Sequence, residues 1–239
     1  MTNDSKAKMT ILQIETAATV CSVALAKDGE VVGFKQVNAR NVHAEVITLF
    51  IEELITGAGI TYRGLDAIAV SSGPGSYTGL RIGVSTAKGL CFALDKPLIA
   101  VETLAAMANG VLSDASFTID ASTLLCPMID ARRMEVYTAV FNTTGERILP
   151  TAAEIIDENS FAELLKSNKI LFFGDGADKC QLVLGDNTNA QFLPGFTNSA
   201  TYLTKPAFDK FMAKDFEDVA YFEPYYLKDF IAGKKVVNS

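Results

Sequence analysis

Apolar residues near the start of the chain fall into short runs separated by polar breaks. Residues 9–15, 20–26 and 31–37 are three such runs. Small residues 16–19 join the first two, and Lys27-Asp28-Gly29-Glu30 joins the last two with an Asp-Gly hairpin signal. Together they read as an antiparallel meander. After a polar loop at 38–41, Asn41 stands where it would cap a helix whose apolar stripe is Ile47, Phe50, Ile51 and Leu54 and which ends near Gly57 and Gly59. Residues 68–70 form an apolar run too short for a helix, and Gly73-Pro74-Gly75 breaks it. Thr78 is then expected to cap a second helix that carries Leu80, Val84, Ala87, Cys91 and Leu94 on one stripe. Gly79, Gly83 and Ala87 make a second row, stripped of side chains, where another backbone or helix can approach closely. Residues 97–101 return as a strand, so the order is βββαβαβ.

The second half repeats this plan. ILQIETAATVCSVALAKDGEVV from Ile11 and LLCPMIDARRMEVYTAVFNTTGERI from Leu124 both run an apolar segment into an acid, Glu15 or Asp130. Each continues through a short link and a second apolar run to a turn glycine, Gly29 or Gly145, at 14 and 15 residues from the acid. Residues 160–166 suggest a helix, and 170–173 a strand running into Gly174-Asp175-Gly176, as Val70 runs towards Gly73. The pattern predicts an α/β chain of two βββαβ halves: a tail at 1–8, a first unit at 9–106 and a second at 107–239. Pro206 lies inside the helical stretch 201–214, so that helix either starts late or kinks.

Composition narrows the class. The 239 residues are 49% hydrophobic with a mean hydropathy of +0.22, which fits a folded chain with a proper core. A net charge of −7 lacks the basic footprint of a protein that grips nucleic acid unaided. The four cysteines, at 21, 91, 126 and 180, match no zinc or redox spacing and read as reduced, buried thiols of a cytoplasmic protein. MTNDSKAK has no apolar core, so it reads as a loose tail and not as a signal peptide, and no apolar run reaches the roughly 20 residues of a membrane span.

The candidate chemistry sits at the strand ends. Gly73, Pro74, Gly75, Ser76 and Thr78 lie between a strand and a helix N-terminus, where free amides and the helix dipole favour an anion. A tight connection whose glycines serve packing alone has the same sequence. GPGSYTGLR is not a Walker A loop, since no lysine follows its last glycine. Glu15 and Asp130 would border a central cleft, where α/β folds place ligands, and either hold a hydrated cation carrying nucleotide phosphates or bond the turn amides of their own strand ends. A single histidine, His43, excludes a two-histidine metal site and leaves no Ser/His/Asp constellation to recommend.

IETAATVCSVAL, SSGPGSYTGLRIGVSTAKGL, PMIDARRMEVYTAVF and FEPYYLK together resemble the TsaB (YeaZ-like) family, over nearly the whole chain from Met9 to about Lys228. That resemblance implies a duplicated actin-like ATPase, ribonuclease H-like fold of two subdomains around a cleft. It implies a non-catalytic scaffold and activating subunit of the machinery that installs threonylcarbamoyladenosine in tRNA, paired with its catalytic paralogue TsaD, with TsaE and the TsaC enzyme completing the pathway. Contact with tRNA comes only through the complex. No cofactor of its own is expected; ATP or ADP with magnesium enters only with TsaD. A small-molecule kinase or ATPase of the same superfamily is the alternative, whereas nothing supplies a protease's metal or nucleophile.

The resemblance places the partner surface on the two first-half helices. Val46 and Leu49 lie beyond the Ile47, Phe50 and Leu54 row, and Ile82 and the Gly79, Gly83, Ala87 row lie beyond Leu80 and Val84, with His43, Arg81 and Lys88 at the ends or flanks. TsaD is expected to dock there, and without it a second copy, giving a two-fold homodimer. On this reading Gly83→Arg or Val84→Glu breaks the interface and leaves the fold intact.

Overall fold

A computed structural model of the chain describes residues 9–39, 42–115, 117 and 119–228. The three apolar runs form β1 (Thr10–Glu15), β2 (Val20–Lys27) and β3 (Glu30–Asn38), paired antiparallel. Asp28 and Gly29 both have positive φ, 54° and 83°, the conformation that a two-residue hairpin matched to strand twist requires. β1 is buried at every position and β3 at none, which marks a central and an edge strand. The helix α1 (His43–Gly57) follows, then β4 (Ala67–Ser71), α2 (Tyr77–Leu94), β5 (Leu98–Val101) and α3 (Thr103–Ser113). β4 and β5 join parallel to β1, giving the order β3-β2-β1-β4-β5.

The second half contains β6 (Leu124–Asp130), β7 (Glu135–Phe141), β8 (Arg147–Ile155), α4 (Ala162–Leu165), β9 (Ile170–Phe173), α5 (Ala177–Leu184) and β10 (Ala190–Leu193). Its sheet order is β8-β7-β6-β9-β10, the first sheet's order strand for strand. The duplication read from the two segments is therefore present. The helix expected over 160–166 shrinks to one turn, because Asp157 ties down the amide of Asn159 and the hydroxyl of Ser160, and Phe161 takes a left-handed φ of 60°.

Four apolar clusters set the layering. α1 and α2 cover one face of the first sheet through Ile47, Ile51, Leu54, Val84 and Cys91. Ala106 of α3, with Leu203 and Ala207, covers its other face. Leu104, Met107 and Val111 of the same α3 pack on the second sheet, so α3 is shared between the halves. α4 and α5 lie on the outer face of the second sheet. Ala207 belongs to the last described helix, α6 (Thr204–Ala213), which returns to the first sheet after the second is complete. That helix starts late: a 3-10 turn over Ala200–Leu203 precedes it, and Pro206 sits in its first turn, where its missing N–H costs nothing.

Two capping expectations need correction or fall outside view. Ser76, not Thr78, caps α2: its hydroxyl accepts from the Gly79 amide at 3.2 Å, because the chain leaves the turn two residues earlier than the spacing suggested. Asn41 and residues 1–8 lie outside the described residues; the cap position of α1 is held by Val42 without a side-chain bond.

Candidate functional site

At the carboxyl ends of β1 and β4, where the site is expected, the chain's own groups bond one another. Glu15 ends β1 with 1% of its surface exposed. Its Oε1 accepts from the Ala17 amide at 2.6 Å and from the Ser71 hydroxyl at 3.0 Å. Burial pushes its carboxyl up to about 7, against smaller opposing effects from the Ala17 amide, the Ser71 hydroxyl and Asn198. Of the two arrangements open to it in the sequence, the structure shows the bond to its own turn amide.

The glycine loop turns its amides inward. Gly73 N–H donates to Thr103 Oγ1 at 3.1 Å while Thr103 N–H donates to Gly73 O at 2.9 Å. Ser76 N–H donates to Ala17 O at 2.7 Å, and Gly79 N–H to Ser76 Oγ. Gly73 has φ of 111°, and a Cβ there would lie 2.5 Å from the carbonyl of Tyr225. Residues 217–228 cause that proximity. Glu217 N–H bonds Leu98 O at the sheet edge, Lys88 Nζ donates to Ala220 O and Phe222 O, Tyr225 N–H donates to Ser72 O at 2.7 Å, and Lys228 pairs with Glu135 of β7. Residues 217–228 thus cross the loop from the first sheet to the second. Of the loop's amides, those of Gly73, Ser76 and Gly79 are bonded to Thr103, Ala17 and Ser76.

In the second half, Asp130 ends β6 as Glu15 ends β1. It is exposed; its Oδ1 accepts from the Arg132 amide at 3.0 Å and pairs with Lys179, and its own N–H donates to Asp175 Oδ1. Asp175, in the Gly174–Gly176 turn, has its carboxyl raised first by burial and then by the neighbouring Asp130 charge, against the Asp130 amide and Lys179. Glu15 and Asp130 are therefore not a matched pair of cation ligands: one is sealed in and the other neutralised by a lysine. Among the described residues no three His, Cys, Asp or Glu side chains converge where they could hold a metal ion.

The predicted partner residues divide by burial. His43, Ile47, Gly79, Leu80, Gly83, Val84 and Ala87 lie in the chain's own interior. His43 Nε2 bonds Ala18 O at 3.1 Å, tying α1 to the β1–β2 turn. A Cβ on Gly79 would stand 2.0 Å from Thr16 O, and on Gly83 2.2 Å from Thr16 Oγ1. The small-residue row seats this turn, so its surplus is used inside the protomer and is no partner surface. Lys88 holds residues 220 and 222. What stays accessible is Leu49 at 55%, Arg81, and the half-buried Val46, Phe50 and Ile82. Arg81 lies over the Tyr77 ring, 5.5 Å from its centroid, and the Tyr77 and Tyr226 rings meet at a tilt of 37° with centroids 4.8 Å apart.

Thr103 and Asn198 were not singled out in the sequence, and Tyr225 entered only as part of FEPYYLK. Thr103 and Tyr225 act through backbone or hydroxyl contacts across 30 and 153 residues, for which local spacing carries no signal.

Two sheets of identical order, each from a βββαβ unit, define a duplicated actin-like, ribonuclease H-like fold. Residues 28–227 match the family model described as TsaD: tRNA N6-adenosine threonylcarbamoyltransferase. The tRNA threonylcarbamoyladenosine biosynthesis protein TsaB of Bacillus subtilis is 30% identical over 97% of this chain and 99% of its own. The protein of the same name from Escherichia coli is 38% identical over 133 residues, 56% of this chain, and the match spans about half (55%) of that relative's length. The solved structure of YeaZ from Pseudomonas aeruginosa superposes with a TM-score of 0.77 at 25% identity, covering 92% of this chain and all of that one. The chain belongs to the TsaB (YeaZ-like) family.

Proposed function

We propose that this protein is a non-catalytic subunit in tRNA threonylcarbamoyladenosine biosynthesis that works by binding TsaD. The observation that carries the reading is the bonding of the glycine loop: the amides of Gly73, Ser76 and Gly79 are bonded within the chain, and Glu15 is buried against its own turn. A phosphate would have to displace those bonds to gain its own. The kinase or ATPase alternative needs that loop open.

TsaD docks on the face formed by α1 and α2, through Val46, Leu49, Phe50, Arg81 and Ile82. Without TsaD a second copy takes the same face about a two-fold axis. A specific interface of this kind buries on the order of 1,600 Å² in total. The acidic chain leaves tRNA contact to its partner, and ATP or ADP with magnesium is bound by the complex. Titration of the isolated chain with ATP by calorimetry tests this. Binding weaker than about 100 µM, or roughly −5.5 kcal/mol, with no turnover is expected; micromolar binding with hydrolysis would overturn it.

A further inference from the structure

The pseudo-symmetry of the two halves breaks at one place. In the first half α1 runs 15 residues over β2 and β3, and Ile47, Ile51, Leu54 and Ile55 seal that face. Its counterpart α4 has 4 residues and buries only Leu165. At 1.5 Å per residue the difference is about 16 Å of missing helix. The space is left as a groove of about 760 Å³, floored by Val140, Ala152 and Ile156 and walled by Leu149, Phe161 and Leu164. The β7–β8 register shifts around Val140 where it opens, and Pro150 stands in the edge strand there. Glu154 and Glu163 line it, and among the described residues no lysine or arginine does. Glu163 makes an exposed pair with Lys166, the kind worth little in water, and Glu154 has no ion pair among the described residues.

We propose that this groove binds an amphipathic helix of a partner protein, with apolar residues at i, i+4, i+7 and i+8 and lysine or arginine on its flanks. The apolar spacing is that of Ile47, Ile51, Leu54 and Ile55, which perform this covering on the first sheet. The basic flanks answer Glu154 and Glu163. The site is on the opposite outer layer from α1 and α2, so a partner here does not compete with one there.

A fluorescein-labelled peptide of residues 43–57 carrying Glu45→Lys, Glu52→Lys and Glu53→Lys is the probe, titrated with the full chain and read by anisotropy. Saturable binding on the order of 10–100 µM is expected, about tenfold weaker for the unmodified acidic peptide and lost in Ala162→Trp, which fills the groove from an exposed position. Glu154→Lys with Glu163→Lys should reverse the preference between the two peptides, with circular dichroism confirming that each variant is folded. No binding, binding unchanged by Ala162→Trp, or no preference between the peptides would overturn the proposal. So would a dimer that Ala162→Trp dissociates, which assigns the groove to a second copy. A chain ending at residue 228 that binds the probe tenfold tighter assigns the groove to the protein's own end and overturns the proposal in the same way.

Discussion

Glu15 is buried at the end of β1 and bonded to its own turn. A carboxyl raised from 4.5 to about 7 binds its proton more tightly in the folded chain than in the unfolded one. Its contribution to stability is therefore full below pH 4.5 and is lost as pH rises through 7. Glu15→Gln keeps the Oε1 acceptor for Ala17 and Ser71 without the buried charge. In urea unfolding, this variant should match the parent near pH 5 and exceed it at pH 8 by on the order of 2–3 kcal/mol; an unchanged difference across the two pH values would refute the account of this residue. The cysteines offer a second check. Burial pushes Cys91 and Cys126 up to about 12 and Cys21 and Cys180 up to about 11. All four are free. Native protein at pH 8 should react with a thiol reagent at least about a hundredfold more slowly than denatured protein.

At the scale of elements, α2 is the clearest lesson in what a sequence carries. Its periodicity, its C-terminal end and the special status of Gly79 and Gly83 are legible, because helix spacing and glycine placement are local signals. Which neighbour the glycines admit is not local: Thr16, from the β1–β2 turn, occupies the room that the family resemblance assigned to a partner. Gly83→Arg and Val84→Glu therefore do not separate folding from binding. Gly83→Arg drives a side chain into Thr16, and Val84→Glu buries a charge beside Cys91 and Ile14 in the core. Each should cost on the order of 3–5 kcal/mol and show as a lowered thermal midpoint. Leu49→Glu, at an exposed position, should leave the midpoint within a few degrees. The single turn of α4 was equally out of reach, since it is set by Asp157 capturing Asn159 and Ser160 and not by any break in the apolar pattern.

For the whole molecule, the duplication was readable because both halves repeat one order of runs, acid and glycine turn. The bonding of the glycine loop was not, because it depends on Thr103 and Tyr225, which the fold brings to the loop from distant positions. On the proposed function, binding is the work of the outer helices α1 and α2. The most direct test is titration of this chain with purified TsaD by calorimetry at physiological salt. The account predicts a one-to-one complex with a dissociation constant of about 1 µM or tighter, near −8 kcal/mol, weakened at least about tenfold by Leu49→Glu with Ile82→Arg while the thermal midpoint of the variant holds. Absence of a complex at 100 µM, or full affinity in that folded variant, would contradict it.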